Sequence, residues 1–342
     1  MSWPGLIGLL AAAFVAVALA ARALLPRLRA WDLVDEPNHR SSHAAPTPRG
    51  GGIAPMAVLA MVGLPLTWLA EPPGLTLLLL AACVLALVSL ADDWRSLGVV
   101  PRLAAQGAAA SLAVWVSVMH WPLPVSWLSP LLLAPLLWLA LLWFVNLFNF
   151  MDGIDGITGT QCLSIGAGVA LVLSWHGATG VDATRLADAA QVAGLMIAAA
   201  AAGFLTVNWH PARVFLGDVG SIPLGFLCGV LLLALAALGH LAAALILPAY
   251  SVLDATVTLF RRWLRGENLT QAHRSHAYQR AARSGLSHAD ICRRIAGLDL
   301  ALIGLALFSP AAPALSLAVA YGLTAGLYLV FDRRAAATPG HS

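Results

Sequence analysis

The run "PLLLAPLLWLALLWFV", Pro130 to Val145, passes directly into "NLFNFMDGIDGI", Asn146 to Ile157. An uncharged apolar segment of about 20 residues crosses the hydrocarbon core of a bilayer as a helix. The polar residues that follow therefore mark the point where such a helix meets water. The whole chain has the same character: of 342 residues, 60% are hydrophobic and only 10% charged, whereas soluble domains carry about 25% charged residues. This composition predicts an all-α polytopic membrane protein, a single integral-membrane domain over residues 1–342. About eleven spans are expected, near 4–24, 51–70, 75–91, 103–120, 127–147, 158–175, 188–207, 221–238, 241–260, 290–308 and 313–331.

The first apolar run has no basic segment ahead of it and is followed by Arg22, Arg27 and Arg29. That polarity predicts an uncleaved span with its N-terminus outside. Every basic residue is arginine, and with this orientation Arg185 alone falls on an outer loop between spans. The inner loops, near 25–50, 92–102, 148–157, 208–220 and 261–289, then hold every dense polar motif, so five stretches share one membrane face. Cys83, Cys162, Cys228 and Cys292 lie in or near apolar runs with no CxxC, and read as small core residues. No concentrated basic patch of the kind a nucleic-acid partner needs is present.

The chemistry of these stretches is that of charge-neutralising oxygen ligands. If the helix continues, Asn146, Asn149 and Asp152 stack at i, i+3 spacing. Their amide and carboxylate oxygens are hard ligands suited to Mg²⁺, while Gly153 and Gly156 free the backbone. A polar helix end with a C-cap reads equally well from this stretch alone. Asp92 and Asp93 are either a solvated span end or a pair that orients, or deprotonates, a phosphate acceptor. Arg102 fits a lipid phosphate or an ordinary positive-inside arginine. In "VFLGDVGS", Asp218 stands between Gly217 and Gly220 at the start of a helix, where an anion is favoured. Phe215 offers a face for a base or a core contact. In "RRWLRGENLTQAHRSHAYQR", His273 and His276 lack the further ligands a zinc site requires. Asp254, ahead of Arg261 and Arg262, is an intramembrane acid and thus a functional candidate or an anchor.

In order, "PNHRSSHAAPTPRGGG", "DDW", "NLFNFMDGIDG", "NWHPARVFLGDVGS", Asp254 ahead of the arginine pair, and "HRSHAYQR" resemble the polyprenyl-phosphate N-acetylhexosamine-1-phosphate transferases. The resemblance runs from about residue 31 to 280. It implies an Mg²⁺-dependent enzyme, with Mn²⁺ as an alternative ion, in a bacterial inner membrane with a cytoplasmic active site. Such an enzyme passes HexNAc-1-phosphate from a UDP-HexNAc to undecaprenyl phosphate and releases UMP. Matched by position, Asn149 and Asp218 correspond to metal ligands. Asp92 and Asp93 match the acceptor's aspartate pair, and Asp152 and Asp155 match the acids beside metal and uridine. Asn208 and Phe215 fall on nucleoside-binding positions, and Arg102 on that of the lipid phosphate. Asn146, Arg274 and His276 complete the expected substrate contacts.

The last loop departs from the family's "DRxHLHH" pattern. Its form "HRSHAYQR" is most similar to the O-antigen-initiating branch, which uses UDP-GlcNAc or 6-deoxy-HexNAc donors such as UDP-FucNAc. A phospho-MurNAc-pentapeptide transferase is the alternative within the family, and a secondary transporter the alternative outside it. The expected partners are membrane lipid, undecaprenyl phosphate and the UDP-HexNAc; a homodimer is left open.

Overall fold

The computed structural model describes residues 3–36, 46–69, 74–95, 97–121, 129–178, 180–268, 271 and 273–337. Among them the chain forms α1 (Trp3–Ala30), β1 (Val34–Asp35), β2 (Thr47–Pro48), α2 (Ile53–Leu69), α3 (Leu75–Arg95), α4 (Val99–His120), α5 (Pro130–Phe150), α6 (Ile157–His176), α7 (Val181–Asn208), α8 (Asp218–Ala237), α9 (Leu241–Ile246), α10 (Ala249–Leu264), α11 (Ala277–Arg283), α12 (His288–Phe308) and α13 (Pro313–Ala337). The two short strands pair antiparallel, Val34 opposite Pro48 and Asp35 opposite Thr47. The protein is a multi-pass, all-α membrane protein.

Among the described residues, eight helices are long and apolar enough to cross a bilayer: α1, α3, α4, α5, α6, α7, α8 and α13. The other expected spans also fall on helices, but on different ones in kind. The segment near 51–70 is the shorter apolar helix α2. The segment near 241–260 breaks at Leu247–Pro248 into α9 and α10, because proline removes a backbone donor and clashes with the preceding turn. The segment near 290–308 is α12, which carries Asp290, Arg293, Arg294 and Asp299. The part of the first inner motif from Pro37 to Ala45, with Arg40, lies outside the described residues.

Close backbone approach sets the helix packing, as expected where lipid supplies no hydrophobic drive between helices. α6 packs on α7 with Gly166 and Gly194 facing one another; a methyl on Gly194 would lie 2.6 Å from the Gly166 carbonyl. Gly203 of α7 meets α1 in the same way, 2.5 Å from the Phe14 carbonyl. Inside the bundle, Gln161 donates to Asp299 Oδ2 at 2.7 Å, and Ser251 donates to Gln161 Oε1 at 2.8 Å. These bonds tie α6, α10 and α12 by polar groups that lipid could not satisfy. Cys162, Cys228 and Cys292 are buried free thiols and Cys83 is half-buried. Helices alternate in direction, so the C-terminal ends of α3, α5, α7 and α10 and the N-terminal ends of α2, α4, α6, α8 and α12 gather at one end of the bundle.

Candidate active site

The scaffold of the site is a backbone clip between two glycine-bearing loops. Phe215 N–H donates to the Pro48 carbonyl at 2.8 Å, Gly51 N–H to Phe215 O at 2.9 Å, and Gly52 N–H to Leu216 O at 2.8 Å. The residue pattern explains the closeness. A methyl on Gly52 would stand 2.5 Å from the Gly220 nitrogen and 2.9 Å from the Leu216 carbonyl. Gly217 has φ +73, a left-handed conformation open to glycine at little cost, and it turns the chain into α8 directly at Asp218. The loop after α5 is held to this clip by Asn208. Its Oδ1 accepts Gly156 N–H at 3.0 Å, and its Nδ2 donates to Val214 O at 2.9 Å. Gly156, at φ +79, starts α6.

On this scaffold an acidic cluster forms. Asp93 accepts the Val219 backbone N–H at the start of α8, while its Oδ2 is buried with no hydrogen-bond partner. The Asn149 side chain hydrogen bonds to the Asp218 carboxylate, and Asn149 Oδ1 accepts the Ser221 hydroxyl at 2.6 Å. Asp152 Oδ1 accepts the Thr158 hydroxyl at 2.6 Å. Burial pushes the Asp152 carboxyl up to about 7; the Thr158 bond opposes this, and the nearby Asp218 and Asp93 carboxylates add to it. Two cations hold the cluster together. Arg102 bridges Asp92 Oδ2 at 3.1 Å and Asp218 Oδ2 at 2.8 Å, and Arg49 donates to the Asp93 carbonyl at 2.9 Å. Three carboxylates, one of them with an orphaned buried oxygen, and an amide form a hard-oxygen donor set of the kind Mg²⁺ takes.

Two sequence-derived expectations change here. α5 ends at Phe150, with Met151 as its cap and Asp152 N–H bonded to Asn149 O at 3.1 Å, so the i, i+3 ladder does not run through to Asp152. Asn146 faces α4 instead, donating to Gln106 Oε1 and Leu142 O, both at 2.8 Å. The buried Gln106 supplies the acceptor that an amide needs between two apolar helices. Arg102 engages two aspartates, Asp92 and Asp218.

The last loop closes over the aspartate loop. Tyr278 O–H donates to Phe150 O at 3.1 Å, and Gly153 packs so tightly beneath the Tyr278 hydroxyl and Gln279 that a side chain would collide with both. Fully buried Asp254 holds this loop. It accepts Ala277 N–H at 2.9 Å, Tyr278 N–H at 3.3 Å, Tyr250 O–H at 3.1 Å and Thr258 O–H at 3.2 Å. His276 is buried, with Nδ1 3.5 Å from Asp254 Oδ1 and neither ring nitrogen hydrogen bonded. His273 lies against it, ring centroids 4.9 Å apart. Burial, with His276 and Arg262 adding and Glu267 opposing, lowers His273 to about 4, so it is neutral near pH 7. Arg274 is half-buried, its carbonyl accepting from Arg283 at 3.4 Å. Arg261 and Arg280 reach Asp332 on α13 at 3.0 and 2.6 Å, so this loop is anchored to the last helix.

Asp155 stands apart from the other acids. Its Oδ2 lies 2.6 Å from His210 Nδ1, 3.2 Å from His288 Nδ1 and 3.2 Å from Ala212 N–H. Burial alone would raise its carboxyl; the His288 and His210 bonds outweigh that and hold it below the usual carboxylate range. Arg49, His210 and His288 join the site without being among the residues expected from the sequence. Arg49 and His210 lie inside the quoted motifs, but His288 starts α12 far along the chain and carries no local signal.

Residues 75–236 match glycosyl transferase family 4. A decaprenyl-phosphate N-acetylglucosaminephosphotransferase of Mycobacterium tuberculosis is 30% identical over 350 residues, covering 90% of this chain and 81% of the relative. A probable undecaprenyl-phosphate N-acetylglucosaminyl 1-phosphate transferase of Bacillus subtilis is 26% identical, covering 79% and 74%. A phospho-N-acetylmuramoyl-pentapeptide-transferase of Moorella thermoacetica is 35% identical, covering 61% and 68%.

Proposed function

The chain belongs to glycosyl transferase family 4, and on that premise we propose that it transfers HexNAc-1-phosphate from a UDP-HexNAc to undecaprenyl phosphate at the cytoplasmic face of a bacterial inner membrane. The donor is UDP-GlcNAc or a 6-deoxy-HexNAc such as UDP-FucNAc. The products are undecaprenyl-diphospho-HexNAc and UMP, the first lipid intermediate of an O-antigen or related surface polysaccharide. The observation that carries this reading is the meeting of Asp93, Asp152, Asp218 and Asn149 from the ends of α3, α5 and α8, with Arg49 and Arg102 among them.

The barrier is electrostatic, because a phosphate monoester with a second pKa of about 6 must approach a pyrophosphate. An oxygen of the lipid phosphate attacks the sugar-bearing phosphorus, and the bond from that phosphorus to the oxygen of UMP breaks. Asp152, Asp218 and Asn149 would hold Mg²⁺, or Mn²⁺ in its place. When bound, the ion supplies neutralisation of the pyrophosphate and of the departing phosphate. Arg102, held between Asp92 and Asp218, presents its guanidinium to the acceptor phosphate. Asp93, with its free Oδ2, orients that phosphate or takes its remaining proton; Asp92 acts through Arg102. Asn208 shapes the nucleoside pocket with Phe215 as its stacking face, and Asp155 stands beside it. Arg274 faces the pyrophosphate and sugar from the last loop, with buried His276 behind it against Asp254.

The test is UMP release by purified enzyme with undecaprenyl phosphate, Mg²⁺ and a panel of donors, with the lipid product identified. Turnover with UDP-GlcNAc or UDP-FucNAc is expected, and silence with every UDP-HexNAc would overturn the reading. The Moorella relative favours one second reading, a UDP-MurNAc-pentapeptide donor, which the same panel separates.

A further inference from the structure

The side chains of Asp155, His210 and His288 converge from three separate stretches: the α5–α6 loop, the α7–α8 loop and the first residue of α12. Their ligand atoms all lie within 4.8 Å of one another. Both imidazoles aim the same atom, Nδ1, at one carboxylate oxygen, at 2.6 and 3.2 Å, and the rings are 4.9 Å apart. This is more than one carboxylate oxygen needs. It already accepts Ala212 N–H at 3.2 Å, and His288 Nδ1 also lies 3.4 Å from the Asp155 nitrogen. Three ligand-type atoms this close, drawn from separate stretches, suit one shared cation.

We propose that Asp155, His210 and His288 form a binding site for a zinc-class divalent cation, separate from the hard-oxygen cluster of Asp93, Asp152 and Asp218. Two imidazoles and one carboxylate are the donor set of open zinc sites, with bonds of about 2.0–2.2 Å. Tetrahedral geometry at those lengths separates ligands by roughly 3.3 Å, close to the 3.2 Å seen for His288. His210, at 2.6 Å, must move away from the carboxylate, and it is the member free to do so, with its side chain 36% exposed while Asp155 and His288 are 7% and 9%. Its exposed side admits a water as fourth ligand. The nitrogen donors select against Mg²⁺. The Asp155 carbonyl accepts the Cys292 thiol at 3.2 Å, which fixes the loop from behind in the manner of outer-shell partners. The bound ion ties the start of α12 to both loops that build the pocket.

The experiment reads metal rather than turnover, so its outcome is independent of which sugar is transferred. Purified protein in detergent, held in saturating Mg²⁺, is titrated with Co²⁺ and then Zn²⁺. Expected results are a visible absorption band from four-coordinate Co²⁺ that Zn²⁺ abolishes, and a Zn²⁺-dependent rise in thermal midpoint. His288→Ala should weaken both at least tenfold, and so should His210→Gln, a change at a part-exposed position that leaves the fold intact. His273→Ala should leave both unchanged. No Co²⁺ band in the parent protein, a band retained in His210→Gln, or a band lost in His273→Ala would each overturn the proposal.

Discussion

Replacing Gly52 with alanine tests the architecture of the site through one methyl group. The added carbon would stand 2.5 Å from the Gly220 nitrogen and 2.9 Å from the Leu216 carbonyl, both backbone atoms. Neither can rotate away, so the starts of α2 and α8 must separate by roughly an ångström to restore ordinary contact. Overpacking of this kind costs about 1–3 kcal/mol. The displaced element begins with Asp218, two residues before Gly220, and a misplacement of about 1 Å at a reacting centre costs on the order of 100-fold in rate. The expected result for Gly52→Ala is therefore a fall in UMP release of that order with a modestly lower thermal midpoint in detergent. Gly297→Ala is the control: a methyl there meets nothing within 4 Å, and the helix should gain about 0.5–1 kcal/mol. Full activity and an unchanged midpoint for Gly52→Ala would refute the claim that the two loops meet backbone to backbone.

Asp93→Asn and Asp218→Asn should each lower UMP release by about 100-fold or more while the protein remains folded; near-parental turnover in either would remove that residue from the cluster. The Asp152 carboxyl, raised from 3.8 to about 7, favours its protonated form in the folded state, whereas the unfolded chain releases that proton near 4. Stability of Mg²⁺-free protein should thus be greatest below about pH 4 from this group and decline as pH rises through 7. Mg²⁺ affinity should rise over the same interval; thermal midpoints with and without Mg²⁺ across that range measure both, and a flat profile would refute it. Asp254→Ala strands the Ala277 and Tyr278 N–H groups, each worth about 1–3 kcal/mol when left unsatisfied, so a lower thermal midpoint is expected and a parental one would show the loop anchored elsewhere. Direct attack predicts no exchange of labelled UMP into the UDP-sugar without lipid acceptor, and exchange would establish a covalent enzyme intermediate instead.

Particular elements show how much was legible beforehand. The polar break after Val145 announces a span end because a bilayer tolerates charge only where water begins, and α5 does end at Phe150. The glycines of "PRGGG" and "FLGD" are readable as permissive positions, yet nothing in either stretch says that they face one another. Asn146 has the same spacing to Asn149 as Asn149 has to Asp152, but a Gln106 on the next helix claims its amide. Asp254 is open to two readings as an intramembrane acid, and only its four hydrogen bonds identify it as the anchor of the last loop.

By itself the sequence determined the all-helical membrane character and the set of polar stretches, since apolar run length and the placement of charge report transfer free energy residue by residue. Tertiary structure alone decided which acids share a charge cluster, why Arg102 bridges two of them, and that His288 meets Asp155 across 133 residues of chain. Those relations depend on helix ends brought together in space, and pairing energies between distant residues leave no period or spacing along the chain.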